Sequence, residues 1–176
     1  MRTRCRRIVV DSTLLLVVTC SVAAAAEPFP VLTVCEALKD PSRYDGKSVI
    51  IVGRSVGTSE GSWLSEDCGL TVLNGGREFS PLISTAWGTD QFAPPPELPE
   101  KFKWDRPLLQ QKLAEVRKTT KLRYRTEMWA AEFGRLETKL PREGPFGGDI
   151  TGFGHQSGAP AQLVGPRNGF LRLGSR

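Results

Sequence analysis

The chain predicts a mainly β domain, a small barrel with one or two helices, and three observations carry that expectation. Runs of β-branched residues recur at short spacing, the strongest being Val49-Ile50-Ile51-Val52. Turn formers are frequent, 18 glycines and 13 prolines, which favours short strands over long helices. One longer stretch, residues 106–120, places apolar side chains at helical spacing. With 176 residues there is room for one domain and an extension. A hydrophobic share of 39% against 24% charged sets the chain apart from disordered sequences, which lack enough apolar surface to fold.

Residues 1–26 read as a secretory signal followed by a single exported domain over 27–176. Arg2, Arg4, Arg6 and Arg7 form the basic start, and Leu14-Leu15-Leu16-Val17-Val18 the apolar centre. Ala24-Ala25-Ala26 supply the small residues of a cleavage site ahead of Glu27-Pro28. The uncharged stretch from Thr13 to Ala26 is 14 residues. A membrane-crossing helix needs about 20. Acylation at Cys20 is the alternative, which Thr19 in the preceding position disfavours. The arginines, set against Asp11, place +3 of the formal +5 charge in the leader and leave +2 for the rest. That residue of charge makes no strong electrostatic claim on nucleic acid or an anionic membrane.

Export also decides the cysteines. Cys5 and Cys20 leave with the signal, and the remaining pair, Cys35 and Cys68, is expected to form a disulfide in an oxidising compartment. Closing a loop of this length stabilises a fold by roughly 3–4 kcal/mol on the chain-entropy model.

Along the mature chain, Pro28 and Pro30 keep residues 27–32 extended. Thr33 then caps a short helix, with Glu36 in capping-box position, and Asp40-Pro41 ends it. Residues 41–47 read as a turn through Asp45-Gly46. The run 49–54 is a strand, and Gly53 within it marks a bulge or a barrel corner. Residues 62–64 and 70–73 are further strand pieces around Cys68. Asn74-Gly75-Gly76 signals a hairpin, with Leu82 to Trp87 as its return strand. An insert spans about 88–121. It opens with a proline-rich connection, Pro94-Pro95-Pro96 and Pro99, expected to be stiff and exposed. It ends in a helix capped by Asp105, with Leu109, Leu113 and Val116 on one stripe. Residues 122–138 fit two periods. Leu122, Tyr124, Thr126, Met128 and Ala130 alternate as in a strand, while Trp129, Phe133, Leu136 and Leu140 suit a helix. Gly134 favours the strand, since glycine weakens a helix by about 1 kcal/mol. Residues 141–160 are loop rich in glycine and proline, followed by a last strand at Ala161 to Val164 and an end near Phe170-Leu171.

The segment Tyr44-Asp45-Gly46-Lys47-Ser48-Val49-Ile50-Ile51-Val52-Gly53 resembles the opening of exported bacterial OB-fold domains, where a Gly-Lys turn feeds a strand that bends at a glycine. It is also similar to uncharacterised exported bacterial proteins. The resemblance implies an OB-like five-stranded barrel with a helix between its third and fourth strands, which is where residues 106–120 fall. The long insert could cover the face on which such barrels bind their ligands.

Three functional readings follow. The first is a non-enzymatic binding module of the bacterial envelope, whose partner is another envelope protein or a polymer. Trp63, Trp87, Trp104 and Trp129 are its aromatic anchors, Trp87 and Trp104 flanking the insert, although each tryptophan also suits a small core. The second is a hydrolase using His155, the sole histidine, within Gly152-Phe153-Gly154-His155-Gln156-Ser157-Gly158. No nucleophile or orienting carboxylate accompanies it in sequence, and no catalytic residue is assigned. One histidine and no Cys-x-x-Cys also give no basis for a metal or other cofactor. The third is OB-type binding of an oligonucleotide or oligosaccharide. Nucleic acid is opposed by export and by the small mature charge, even though Arg117-Lys118 and Lys121 to Arg125 form a local basic run.

Overall fold

Strand β2 (Ser48–Thr58) organises the molecule, because its run of β-branched residues is apolar on both faces. Side chains alternate along a strand, so Val49 and Ile51 point one way and Ile50 and Val52 the other. All four are buried, and each face therefore needs its own cover. The computed structural model describes residues 29–87, 94–120, 128–140 and 151–175. The leader, and the readings that fall on residues 88–93, 121–127 and 141–150, lie outside the described residues.

Five strands close around the first face. Strand β2 pairs antiparallel with β3 (Gly61–Ser65), and β3 with β6 (Leu82–Trp87). Strand β6 runs parallel to β8 (Ala161–Gly165), β8 pairs antiparallel with β7 (Met128–Glu137), and β7 returns to β2. The result is a closed five-stranded barrel, compatible with an OB-like fold. Helix α3 (Arg106–Thr119) falls between the third and fourth barrel strands, as the resemblance implies. Two edge strands complete the sheet. Strand β1 (Val31–Thr33) lies parallel to the first half of β2, and β9 (Phe170–Ser175) pairs with Met128 to Glu132 of β7. Since β2 occupies one edge of β7, β9 must share the other edge with β8, extending the wall where β8 stops.

The interior cluster draws on every barrel strand: Val49 and Ile51, Leu64, Ile83, Ala130 and Leu136, Ala161 and Leu163. One barrel end is plugged by α1 (Val34–Lys39), whose Val34, Ala37 and Leu38 join this cluster. The hairpin of β4 (Val72–Asn74) and β5 (Arg77–Phe79) adds Val72 and Phe79. Gly53 explains how α1 fits. A Cβ there would lie 2.9 Å from Val34 Cγ2, so the glycine admits the helix against the strand. Helix α1 begins with the capping box read from sequence, Thr33 Oγ1 accepting from Glu36 N–H at 3.2 Å and Thr33 N–H donating to Glu36 Oε2 at 2.8 Å. The Cys35–Cys68 disulfide, with Cα atoms 6.5 Å apart, ties α1 to the chain beyond β3. Glu66 reinforces the tie. Its buried carboxylate accepts Cys35 N–H at 2.8 Å and Thr119 Oγ1 at 3.0 Å, joining the start of α1 to the end of α3.

The second face of β2 carries a separate core. Ile50 and Val52 join Trp129, Ala131 and Phe133 of β7 beneath Leu109, Leu113 and Val116 of α3. Each of the valine, leucine, isoleucine and phenylalanine side chains here, fully buried, contributes about 1.5–3 kcal/mol. Asp105 caps α3 through Leu108 N–H at 3.0 Å. In space, then, α3 lies outside the barrel and α1 closes its end.

Four expectations are corrected. Residues 41–44 form a short helix, α2 (Pro41–Tyr44), rather than only a turn, because proline suits a first helical turn whose N–H groups have no partner. The return strand of the Asn74-Gly75-Gly76 hairpin is β5, and Leu82 to Trp87 pairs with β3 instead. The segment 27–32 includes the start of a sheet strand, β1, rather than only an extended approach. The proline-rich connection is not simply exposed. Leu98, Phe102 and Trp104 pack on the outer core, and Arg135 Nη1 holds Pro94 O at 2.7 Å.

Candidate functional site

The barrel end opposite α1 is open. On β2 the interior-facing series that begins at Val49 and Ile51 continues through Ser55 to Gly57, and on β3 the series of Leu64 includes Ser62. On β6, Ile83 is followed by Thr85 and Trp87, and on β7 Ala130 is preceded by Met128. The interior thus changes from apolar at the plugged end to mixed at the open end. Ser55, Gly57, Ser62, Trp87 and Met128 line a cleft of about 540 Å³, joined by Arg167 and Phe170. Trp87 is 44% exposed, unusual for so large an apolar side chain. Ser62 Oγ and Thr85 Oγ1 lie 2.6 Å apart and satisfy one another.

Beneath this mouth lies Glu132. It sits between Ala130 and Gly134 on the interior face of β7, opposite Ile51 on one side and Phe170 on the other. Only 3% of it is exposed. Burial raises its pKa to about 7, and a hydrogen bond from the Trp87 indole pulls the other way by favouring the ionised form.

The outer face of β3 and β6, where OB-like barrels bind polymers, is partly occupied. Trp63 and Ser84 are cross-strand partners there, and Gly154 backs onto them. A Cβ at Gly154, where φ is +72°, would overlap Ser84 Oγ and approach Trp63 Nε1 to 3.5 Å. Phe153 and Ala159 pair to fold this segment on itself. The hairpin holds it in place. Asn74 Nδ2 donates to Thr138 O at 2.8 Å and to Pro160 O at 2.6 Å, and Arg77 Nη1 reaches Ser157 O at 3.3 Å. The segment over this face is thus the glycine-rich loop, where the sequence pointed to the insert.

The residues singled out from sequence occupy separate places. Trp87 lines the mouth, and Trp63 is half-buried on the outer face. Trp104 packs edge-on against Phe102 with ring centroids 5.0 Å apart, in a group with Phe29 and Phe133. Trp129 is wholly buried beneath Arg117, whose guanidinium carbon lies 5.5 Å from the ring centroid. His155 opens a 3-10 turn, His155–Ser157, in the loop over the outer face. Cys35 and Cys68 belong to the plugged end. Glu132, Met128, Phe170 and Arg167 were missed. Once 128–137 is taken as a strand, a carboxylate on its apolar face is a legible signal.

A second cleft of about 600 Å³ lies near the disulfide, lined by Arg54, Ser65, Glu66 and Asp67 among others. Its charges serve the fold. Arg54 Nε donates to Ser65 Oγ at 3.1 Å, Arg54 Nη1 stands 3.8 Å from Asp67 Oδ2, and Glu66 ties the two helices. Among the described residues, no cluster of three His, Cys, Asp or Glu side chains could hold a metal ion. No helix among them is long and apolar enough to cross a membrane. The class defined by fold and site is a disulfide-tied β-barrel with one open end. Comparison with family models, curated proteins and solved structures finds no match for the chain.

Proposed function

We propose that this chain is an exported, non-enzymatic binding module of the bacterial envelope, built on an OB-like barrel, and that the open barrel end receives its ligand. The observation that carries this reading is the exposed Trp87 beside Met128 and Phe170 in a cleft of about 540 Å³, within the range of small-molecule sites. The disulfide supports an oxidising compartment, and the leader's basic, apolar and alanine-rich parts support export. The mouth is favoured over the polymer-binding face of OB-like barrels because the turn around Gly154 sits on Trp63 and Ser84.

A fragment library screened by NMR tests the reading. Shifts should converge on the Trp87 indole and the Met128 methyl, and Trp87→Ala should remove them. Hits that gather around Trp63 or in the Arg54 cleft would reject the mouth as the site. Mass spectrometry of the natural product tests export, with Glu27 expected as the first residue.

A further inference from the structure

We infer that the barrel mouth takes a small amphiphilic anion, its apolar body lying on Trp87, Met128 and Phe170 and its acidic head meeting Arg167. This inference rests on the reading of the mouth as the ligand site and adds the chemistry of what enters.

The apolar half follows from the lining. Trp87, Met128 and Phe170 provide a large ring, a flexible thioether and a second ring, and the other described lining residues are two serines, a glycine and Arg167. Methionine adapts to irregular shapes, and aromatic faces take either an acyl chain or a ring system.

The charged half follows from which ionisable groups reach the cleft. Among the described residues that line the cleft, Arg167 alone carries a charge. It is exposed, and its guanidinium makes no hydrogen bond or ion pair with the described residues. The fork of a guanidinium suits a carboxylate, sulfonate or phosphate, and it would oppose an organic cation. The other ionisable group nearby, Glu132, is kept from the ligand. Its carboxyl is buried, and Glu132 does not line the cleft. Among the described residues, a ligand at the mouth therefore meets one positive group and no negative one. An uncharged apolar ligand would gain nothing from Arg167, and so the arrangement selects for an acid head.

The methionine methyl gives a direct readout, because the sequence holds only Met1 and Met128. The purified protein, labelled at its methionine methyls, would be titrated with monomeric decanoate, 1-decanol and decyltrimethylammonium, as wild type and as Arg167→Gln. A thermal melt of each variant checks folding, which an exposed side chain should leave unchanged. Decanoate should shift the Met128 methyl saturably, and Arg167→Gln should weaken it about 10-fold, the size expected for one charge-assisted contact. Decanol should bind the variant and the wild type alike, more weakly than decanoate binds the wild type. If decanol or the ammonium binds as tightly as decanoate, or Arg167→Gln changes nothing, the acid-head inference is overturned while the mouth stands as a site. If none of the three moves Met128, both readings fall.

Discussion

The two ends of the barrel are built on opposite principles. At the plugged end, Val34, Ala37 and Leu38 of α1 fill the interior with hydrocarbon, a disulfide fixes the helix, and the buried Glu66 spends both oxygens on fixed donors. At the open end, serine and glycine replace the branched hydrocarbon side chains, and the buried Glu132 has burial as the dominant influence on its charge. Two buried carboxylates in one small barrel thus behave differently. Glu66 accepts from a backbone amide at a helix start and from a threonine hydroxyl, whereas burial pushes Glu132 towards the neutral acid. The lesson is that a buried carboxylate says little by itself. What surrounds it decides whether it is a brace or a reservoir of strain.

Four measurements would break or sharpen this contrast. The largest effect is expected from the double variant Cys35→Ala, Cys68→Ala, which frees α1 from the chain beyond β3. The loop spans a sequence separation of 33, so urea unfolding should show a loss of about 3–4 kcal/mol. A loss below about 1 kcal/mol, judged against that chain-entropy estimate, would mean that packing alone holds the plug.

Next comes Glu132→Gln. The folded-state pKa of about 7 lies above the ordinary value of 4.5, so the folded protein holds its proton more tightly than the unfolded chain does. The favourable contribution of Glu132 is fully present below pH about 4.5 and is lost as pH rises through about 7. That amounts to roughly 3 kcal/mol between acid and alkaline limits. Glu132→Gln should therefore flatten this part of the pH profile and stabilise the protein by about 2–3 kcal/mol at pH 8. An unchanged slope in denaturation curves from pH 4 to pH 8 would show that the carboxyl is not isolated.

Glu66→Gln should cost about 1–2 kcal/mol, since an amide can still accept one bond but loses its charge-assisted contact with Cys35 N–H. The smallest change in stability is expected for Trp87→Phe, about 0.5 kcal/mol or less for a side chain so exposed. Its signature lies elsewhere. Removing the indole N–H takes away the bond that favours ionised Glu132, so the midpoint of the pH profile should move upward. A downward movement would reverse the assignment of that hydrogen bond.

Much of the plugged end and of the outer helix was legible in the chain. Thr33 and Glu36, spaced for a capping box, Asp105 ahead of Pro107, and the Cys35–Cys68 pair are local signals, and each acts where it was read. The strand at β7 was harder, because Trp129 and Phe133 are four apart and share a face in a strand as well as in a helix. The open end was nearly silent. It is assembled from β2, β3, β6, β7 and the approach to β9, so no short window contains it. Partnering of strands was misjudged for the same reason. The hairpin signal at Asn74 fixed a turn but could not say that β6 would pass over β5 to pair with β3.

The carboxamide of Asn74 grips both stems of the long connection between β7 and β8, at the carbonyls of Thr138 and Pro160. With both stems clasped at one point, alignment of the barrel strands no longer depends on how much chain runs between them. Evolution is then at liberty to lengthen or rewrite that stretch, acquiring new recognition surface without disturbing the scaffold that carries it.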